Sequence, residues 1–179
     1  RTATSMSLTS KNIILNAFYY GITIVIFPWA VLHIETTCGL AGRPLAIVRI
    51  ASAALGLSGA VLQTWCIVSF QIIGRGTPSP ALAPERLITE GPYRWVRNPM
   101  NIGEVTVLLA LAGWFASPLL VVYSMMAALA LHSFIVFWEE PQHVKRFGIE
   151  YLQYRMVVNR WLPRVKAVSE ESKVKSKAA

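Results

Sequence analysis

Residues 105–138, VTVLLALAGWFASPLLVVYSMMAALALHSFIVFW, form a run of 34 residues without a charged side chain. A bilayer core about 30 Å thick is crossed by about 20 helical residues, so this run is too long for a single span. Gly113 and the Ala116-Ser117-Pro118 step offer a break near its middle. The stretch therefore predicts two membrane helices joined by a tight turn.

Two further uncharged runs precede it, and the chain as a whole is 54% hydrophobic and 15% charged, too apolar for a typical soluble domain. The first run is longer than the apolar part of a signal peptide, about 7–15 residues, and no small-x-small cleavage site follows, so we expect it to be retained. The sequence predicts an all-α integral membrane protein with four transmembrane helices in one membrane domain, residues 1–164. The predicted spans are residues 13–32, 50–73, 99–115 and 119–138.

Lysine and arginine are distributed unevenly along the chain. Of the 17, only Arg43 and Arg49 lie between the first two spans, and none lies between the last two. The positive-inside rule then places both termini and the connection 74–101 in the cytoplasm. The net charge of +8 indicates orientation and attraction to anionic lipid rather than a nucleic-acid partner, since no nucleic-acid-binding motif accompanies it.

The residues after the last span divide into two parts. Val144, Phe147 and Tyr151 recur at helical spacing within residues 141–158, which predicts an amphipathic helix at the cytoplasmic interface. Residues 165–179 are mostly small or polar and are rich in lysine, which predicts a disordered basic tail.

The segment before the third span, GPYRWVRNPMNIG at residues 91–103, is polar for its position. Asn98 followed by Pro99 predicts a helix start with an asparagine cap. Gly103 suits a place where the backbone is closely approached. The simple interpretation is a basic, aromatic flank of a span, and the alternative is a polar recess at the membrane surface.

Glu139 and Glu140 follow the last span, and the predicted hairpin brings them back toward residues 91–103. Ionisable groups at a membrane boundary are functional candidates. The alternative is a solvated span end paired with neighbouring basic residues.

A metal site is not predicted. His132, Glu139 and His143 share one helical face, but three histidines without an H-x-x-x-H pair are a poor ligand supply. Cys38 and Cys66 form no CxxC motif, so neither a zinc site nor a disulfide framework is indicated.

Three segments together resemble the membrane methyltransferase superfamily of isoprenylcysteine carboxyl methyltransferases and phospholipid N-methyltransferases. They are GPYRWVRNPMNIG at 91–103, EEP at 139–141 and FGIEYLQY at 147–154, and the ending NRWLPR at 159–164 is also similar. The resemblance covers roughly residues 74–164. It implies a membrane enzyme that transfers a methyl group from S-adenosylmethionine to a lipophilic acceptor, a phospholipid amine or an isoprenoid or lipid carboxylate.

The resemblance also implies which residues form the site. Arg97, Glu139 and Glu140 would be catalytic, with the two carboxylates at the boundary between cofactor and substrate. The cofactor-binding residues carried over by position are Glu85, Arg86, Leu87, Ile88, Tyr93, Asn98, Pro99, Met100, Asn101, Gly103 and Glu140.

Two positions depart from the pattern of these enzymes. Asn101 stands where the family has tyrosine, and Ile135 stands where isoprenylcysteine enzymes tend to carry a substrate-binding arginine. The segments around Asn98 and Glu139 look closer to the phospholipid N-methyltransferases. Two alternatives remain open, a nicotinamide-dependent lipid reductase and a non-catalytic membrane protein on the same scaffold.

Overall fold

The structure is a computed structural model that describes residues 18–40, 42–72 and 86–164. These residues fold entirely as helices, turns and irregular connections, without a β-strand, so the all-α prediction is confirmed for them. A 3₁₀ turn, Gly91–Arg94, precedes the third helix. The helices are α1 (Phe18–Thr37), α2 (Ala46–Ile72), α3 (Pro99–Phe115), α4 (Pro118–Phe147) and α5 (Ile149–Val157).

Three helices are long and apolar enough to cross a membrane, namely α1, α4 and residues Ala46–Phe70 of α2. Large apolar side chains on them lie exposed, for example Leu57 and Met125 at 68% and 67%, and an apolar surface of this kind is typical of contact with lipid. Helix α3 has the predicted bounds, but its 17 residues extend only about 25 Å. A fourth span through α3 therefore stays a prediction.

Helices α3 and α4 form the predicted hairpin. Ala116 adopts a left-handed conformation with φ 49°, which ends α3. The Ser117 hydroxyl accepts a hydrogen bond from the backbone N–H of Leu120 at 2.9 Å and so caps the start of α4. Glu35 of α1 accepts the neighbouring N–H of Leu119 at 2.8 Å. The break prediction is confirmed at the Ala116-Ser117-Pro118 step.

Helices α2 and α3 approach each other through small residues. A Cβ atom on Gly59 would lie 2.8 Å from the carbonyl oxygen of Gly103, and a Cβ on Gly103 would lie 2.9 Å from that of Gly59. Gly113 belongs to this interface as well as to the turn, because its backbone faces Ser52 and its carbonyl accepts the N–H of Ala116 at 3.2 Å. Close approach of backbones at small residues is a common way for membrane helices to associate.

Helix α4 is longer than the predicted last span, residues 119–138. Helix α4 continues to Phe147 through a π-helical turn, Ile135–Glu139, in which the N–H of Glu140 reaches the carbonyl of Ile135. Pro141 lacks an N–H and normally interrupts a helix, but here it follows directly on this turn.

The predicted interfacial helix at 141–158 is interrupted. Gly148 adopts φ 55° and ψ −127°, which ends α4 and redirects the chain into the separate helix α5. A positive φ is readily available to glycine. The one amphipathic face expected from the spacing is therefore divided between two helices.

The N-terminal bounds also differ. Helix α1 continues beyond the predicted residue 32 to Thr37, which allows Glu35 to reach the start of α4. Helix α2 begins at Ala46 rather than at residue 50. Parts of the first two predicted spans, residues 13–17 and 73, lie outside the described residues, as does the predicted tail 165–179.

Candidate functional site

Glu140 binds two arginines from distant parts of the sequence. Its Oε1 accepts hydrogen bonds from Arg97 Nη1 at 2.9 Å and from Arg160 Nε at 2.8 Å, and its Oε2 accepts one from Arg160 Nη2 at 2.9 Å. The glutamate is only 6% exposed. Paired guanidinium groups are what a carboxylate needs at such a depth, because burial without partners is costly.

The last described segment, residues 159–164, lies along residues 91–103, which we call the motif segment. This contact fixes the positions of Arg97 and Arg160 around Glu140. The N–H of Arg97 donates to the carbonyl of Asn159 at 2.9 Å, and the N–H of Arg164 donates to that of Trp95 at 3.0 Å. Two backbone bonds in opposite directions hold the two segments in register. Three segments that are far apart in the sequence thus converge at one end of the helices, namely residues 91–103, 139–141 and 159–164.

Side chains reinforce this junction from α4 and α5. Trp161 Nε1 donates to His132 Nδ1 at 3.0 Å, and the Tyr154 hydroxyl donates to the carbonyl of Tyr93 at 2.7 Å. Burial raises the pKa of Tyr154, so the phenol stays a neutral donor.

Asn98 does not cap helix α3 with its side chain, contrary to the sequence prediction. Its amide instead donates to the carbonyl of Arg160 at 3.2 Å, because residues 159–164 place an acceptor beside it. Pro99 still occupies the first turn of α3, where its missing N–H is not needed.

Glu139 differs from its neighbour in its accessibility. Its side chain is 33% exposed, and its Oε1 lies 3.7 Å from Nε2 of His143. The two adjacent carboxylates therefore have different surroundings, since Glu140 is bound by two arginines and Glu139 is one-third exposed.

Tyr93 packs inward. It is 8% exposed and lies in an apolar cluster with Cys66, Ile88 and Met100. Burial raises the pKa of Tyr93 well above its ordinary value, so its phenol is neutral. Its ring and the side chain of Ile88 thus anchor the motif segment on this apolar cluster.

The other residues carried over by the resemblance do not all meet in one place. Gly103 faces α2, where Gly59 and Gln63 fill the space that a side chain would need, so helix packing accounts for this glycine. Glu85 belongs to residues 73–85, which lie outside the described part of the chain. The remaining placements are Arg86 exposed, Leu87 and Asn101 half-buried, and Pro99 and Met100 buried.

Arg160 was not singled out by the sequence analysis. The available signals were the resemblance of NRWLPR and the need of a buried glutamate for a cation. One arginine, Arg97, was already assigned to that region, and nothing in the sequence required a second.

Within the described residues no group of three His, Cys, Asp or Glu side chains comes close enough to hold a metal ion. The candidate site is therefore a cluster of arginine and glutamate side chains beside a helix start.

A family model described as phospholipid methyltransferase matches residues 47–150, from the first turn of α2 to the start of α5. None of the curated proteins compared with the chain matches it. The matched region contains the motif segment and both glutamates, and it is more than half of the 179 residues. The chain therefore belongs to the phospholipid methyltransferase family, within the membrane methyltransferase superfamily.

Proposed function

We propose that the protein transfers a methyl group from S-adenosylmethionine to a lipophilic acceptor at the cytoplasmic face of a membrane. Family membership gives the general activity, methyl transfer in a membrane. The observation that carries the finer proposal is the binding of Glu140 by both Arg97 and Arg160. This cluster joins residues 91–103, 139–141 and 159–164 at the start of α3. Glu139 adjoins it in the sequence.

The residues present fit the proposed donor. The guanidinium groups of Arg97 and Arg160 both face the carboxylate of Glu140, and Arg97 Nε is buried without a hydrogen-bond partner among the described residues. A carboxylate such as the donor's suits that position beside the start of α3. Glu139 can accept hydrogen bonds from an amino group or ribose hydroxyls.

S-adenosylmethionine would supply the activated methyl group on its sulfonium. The role of the protein is then alignment of donor and acceptor, for which a rigid junction is an advantage. Asn98, Pro99, Met100 and Asn101 would border the donor, and Arg86, Leu87 and Glu85 would approach it from the preceding connection.

The proposed orientation places both termini in the cytoplasm, with α3 as a short fourth span. The basic residues at the site end support this orientation, since Arg97, Arg160 and Arg164 lie there. The acceptor would enter sideways from the bilayer, and the donor would enter from the water.

Isothermal titration of the purified protein with S-adenosylhomocysteine tests donor binding, and we expect saturable heat with stoichiometry near one. Incubation with a lipid extract and methyl-labelled donor should then label a lipid. Absence of both heat and thermal stabilisation would contradict the proposal. Binding of NADPH in place of the methyl donor would instead favour a lipid reductase, and binding of neither would favour a non-catalytic protein.

A further inference from the structure

A second carboxyl group, Glu104 on α3, is buried without a cation. It is 2% exposed, and its hydrogen-bond partners are hydroxyl groups, the Tyr19 phenol donating at 3.1 Å and Thr23 beside it. Among the described residues no lysine or arginine forms an ion pair with it. Hydroxyl groups satisfy hydrogen-bonding capacity but do not balance a charge in a bilayer.

Glu104 lies further along α3 than the helix start that borders the proposed site. It follows Asn98 by six residues, which is roughly 9 Å along the axis of α3. This depth corresponds to the boundary between lipid headgroup and acyl chain if α3 begins at the inner surface. An acceptor headgroup that enters from the bilayer would pass this level.

The part of α1 that lies beside Glu104 has little buried surface. Residues Gly21–Ile26 of α1 form a π-helical turn with no buried residue, and Tyr19 is itself 42% exposed. Tyr123 of α4 donates its hydroxyl to the carbonyl of Thr23 at 2.9 Å, which holds this turn in place. The buried carboxyl is therefore hydrogen-bonded to a side chain that is itself exposed.

A purely structural role does not account for a glutamate here. A glutamine could accept the same hydrogen bond from Tyr19 at lower cost in hydrocarbon. The rings of Tyr19 and Tyr20 lie edge to face with centroids 5.3 Å apart, next to the carboxyl. A carboxylate with neighbouring aromatic rings is the chemistry that holds an ammonium group, methylated or not.

We propose that Glu104 is the specificity-determining residue of the acceptor site, where it binds the ammonium headgroup of the lipid, with Tyr19 as its movable cover. This inference rests on the proposed function and decides between the acceptors left open there. An amine acceptor gains a counter-ion at Glu104, whereas a carboxylate acceptor would meet a like charge.

The first experiment measures cation binding without catalysis. The full chain in nanodiscs is titrated with decyltrimethylammonium below its micellar concentration, and decyl maltoside serves as the neutral probe. We expect the cation to bind the wild type and to bind Glu104→Gln at least tenfold more weakly. Glu35→Gln is the matched control, because Glu35 is also a buried glutamate with a hydrogen-bond donor but lies at the opposite end of α1. Equal affinity in Glu104→Gln, or equal binding of decyl maltoside, would overturn the inference.

The second experiment uses the wild type alone, so that it remains decisive if Glu104→Gln does not fold. Decyltrimethylammonium should compete with a phosphatidylethanolamine acceptor and not with S-adenosylmethionine. Competition with the donor, or faster methylation of a prenylated cysteine carboxylate than of the amine lipid, would overturn the inference. Failure of the wild type to bind S-adenosylhomocysteine would instead contradict the proposed function and leave the result of the cation titration interpretable.

Discussion

Arg97 and Arg160 donate to the same oxygen atom, Oε1 of Glu140, although 63 positions separate them in the sequence. Arg97 precedes helix α3 within the matched region 47–150, and Arg160 follows helix α5 beyond that region, so their shared partner on α4 joins the matched region to the segment after it. The two donor–acceptor distances, 2.9 Å from Arg97 and 2.8 Å from Arg160, are those of strong charge-assisted hydrogen bonds.

Replacing Arg160 by glutamine should destabilise the protein and weaken donor binding. Glu140 would then keep only Arg97 as its partner. We expect the free energy of unfolding to fall by about 1–3 kcal/mol, because the glutamate is buried while Arg160 is partly exposed. We expect a lower thermal midpoint and an affinity for S-adenosylhomocysteine reduced about tenfold. Arg164→Gln is the control, because it removes the same charge nearby from a residue that bonds to Trp95 through its backbone N–H. It should change neither the thermal midpoint nor the affinity for S-adenosylhomocysteine.

The two neighbouring glutamates should respond differently to the same change. Glu140→Gln leaves two guanidinium groups facing a neutral amide, so we expect a marked loss of stability in thermal unfolding. Glu139→Gln should leave the thermal midpoint nearly unchanged, since its side chain is 33% exposed, and should reduce methyl transfer. A fully active Glu139→Gln variant would contradict the role proposed for this residue.

A methyl group at Gly59 should separate helices α2 and α3. The added Cβ would lie 2.8 Å from the carbonyl oxygen of Gly103. We expect Gly59→Ala to lower the free energy of unfolding by about 1–3 kcal/mol. Gly21→Ala is the matched control, because no atom lies within 4 Å of the Cβ it would add. Comparable thermal unfolding curves for the two variants would contradict the close helix contact.

Restoring tyrosine at position 101 tests the principal departure from the resemblance. Asn101 is half-buried beside the proposed donor site, and an aromatic ring there would add apolar contact area. We expect Asn101→Tyr to bind S-adenosylhomocysteine at least threefold more tightly in isothermal titration. Weaker binding would indicate that asparagine is already adapted to this site.

The helices were predictable from the sequence because the uncharged runs are long and the α3–α4 turn has a distinct composition. The later end of α4 was not predictable in the same way. Glu139, Glu140 and Pro141 are ordinary signals for a helix end, but a π-helical turn and two arginines allow the helix to continue through them.

The candidate site was predictable only as far as its local motifs. The convergence of residues 91–103 with Glu140 follows from the hairpin, and the sequence analysis anticipated it. The positions of Asn98 and Gly103 depend on long-range partners, the Arg160 carbonyl and helix α2, which no local pattern specifies. The same is true of Tyr19, whose contact with Glu104 spans 85 positions.

The docking of residues 159–164 also bears on biosynthesis. Chains grow from the N-terminus at about 5–20 residues per second, so α1 to α4 are synthesised before Arg160. Until then Glu140 has only Arg97 as its described arginine partner, and Trp95 and Arg97 lack their backbone partners on residues 159–164. A chain that ends before Asn159 would therefore lack Arg160 and both backbone bonds between residues 159–164 and the segment around Arg97.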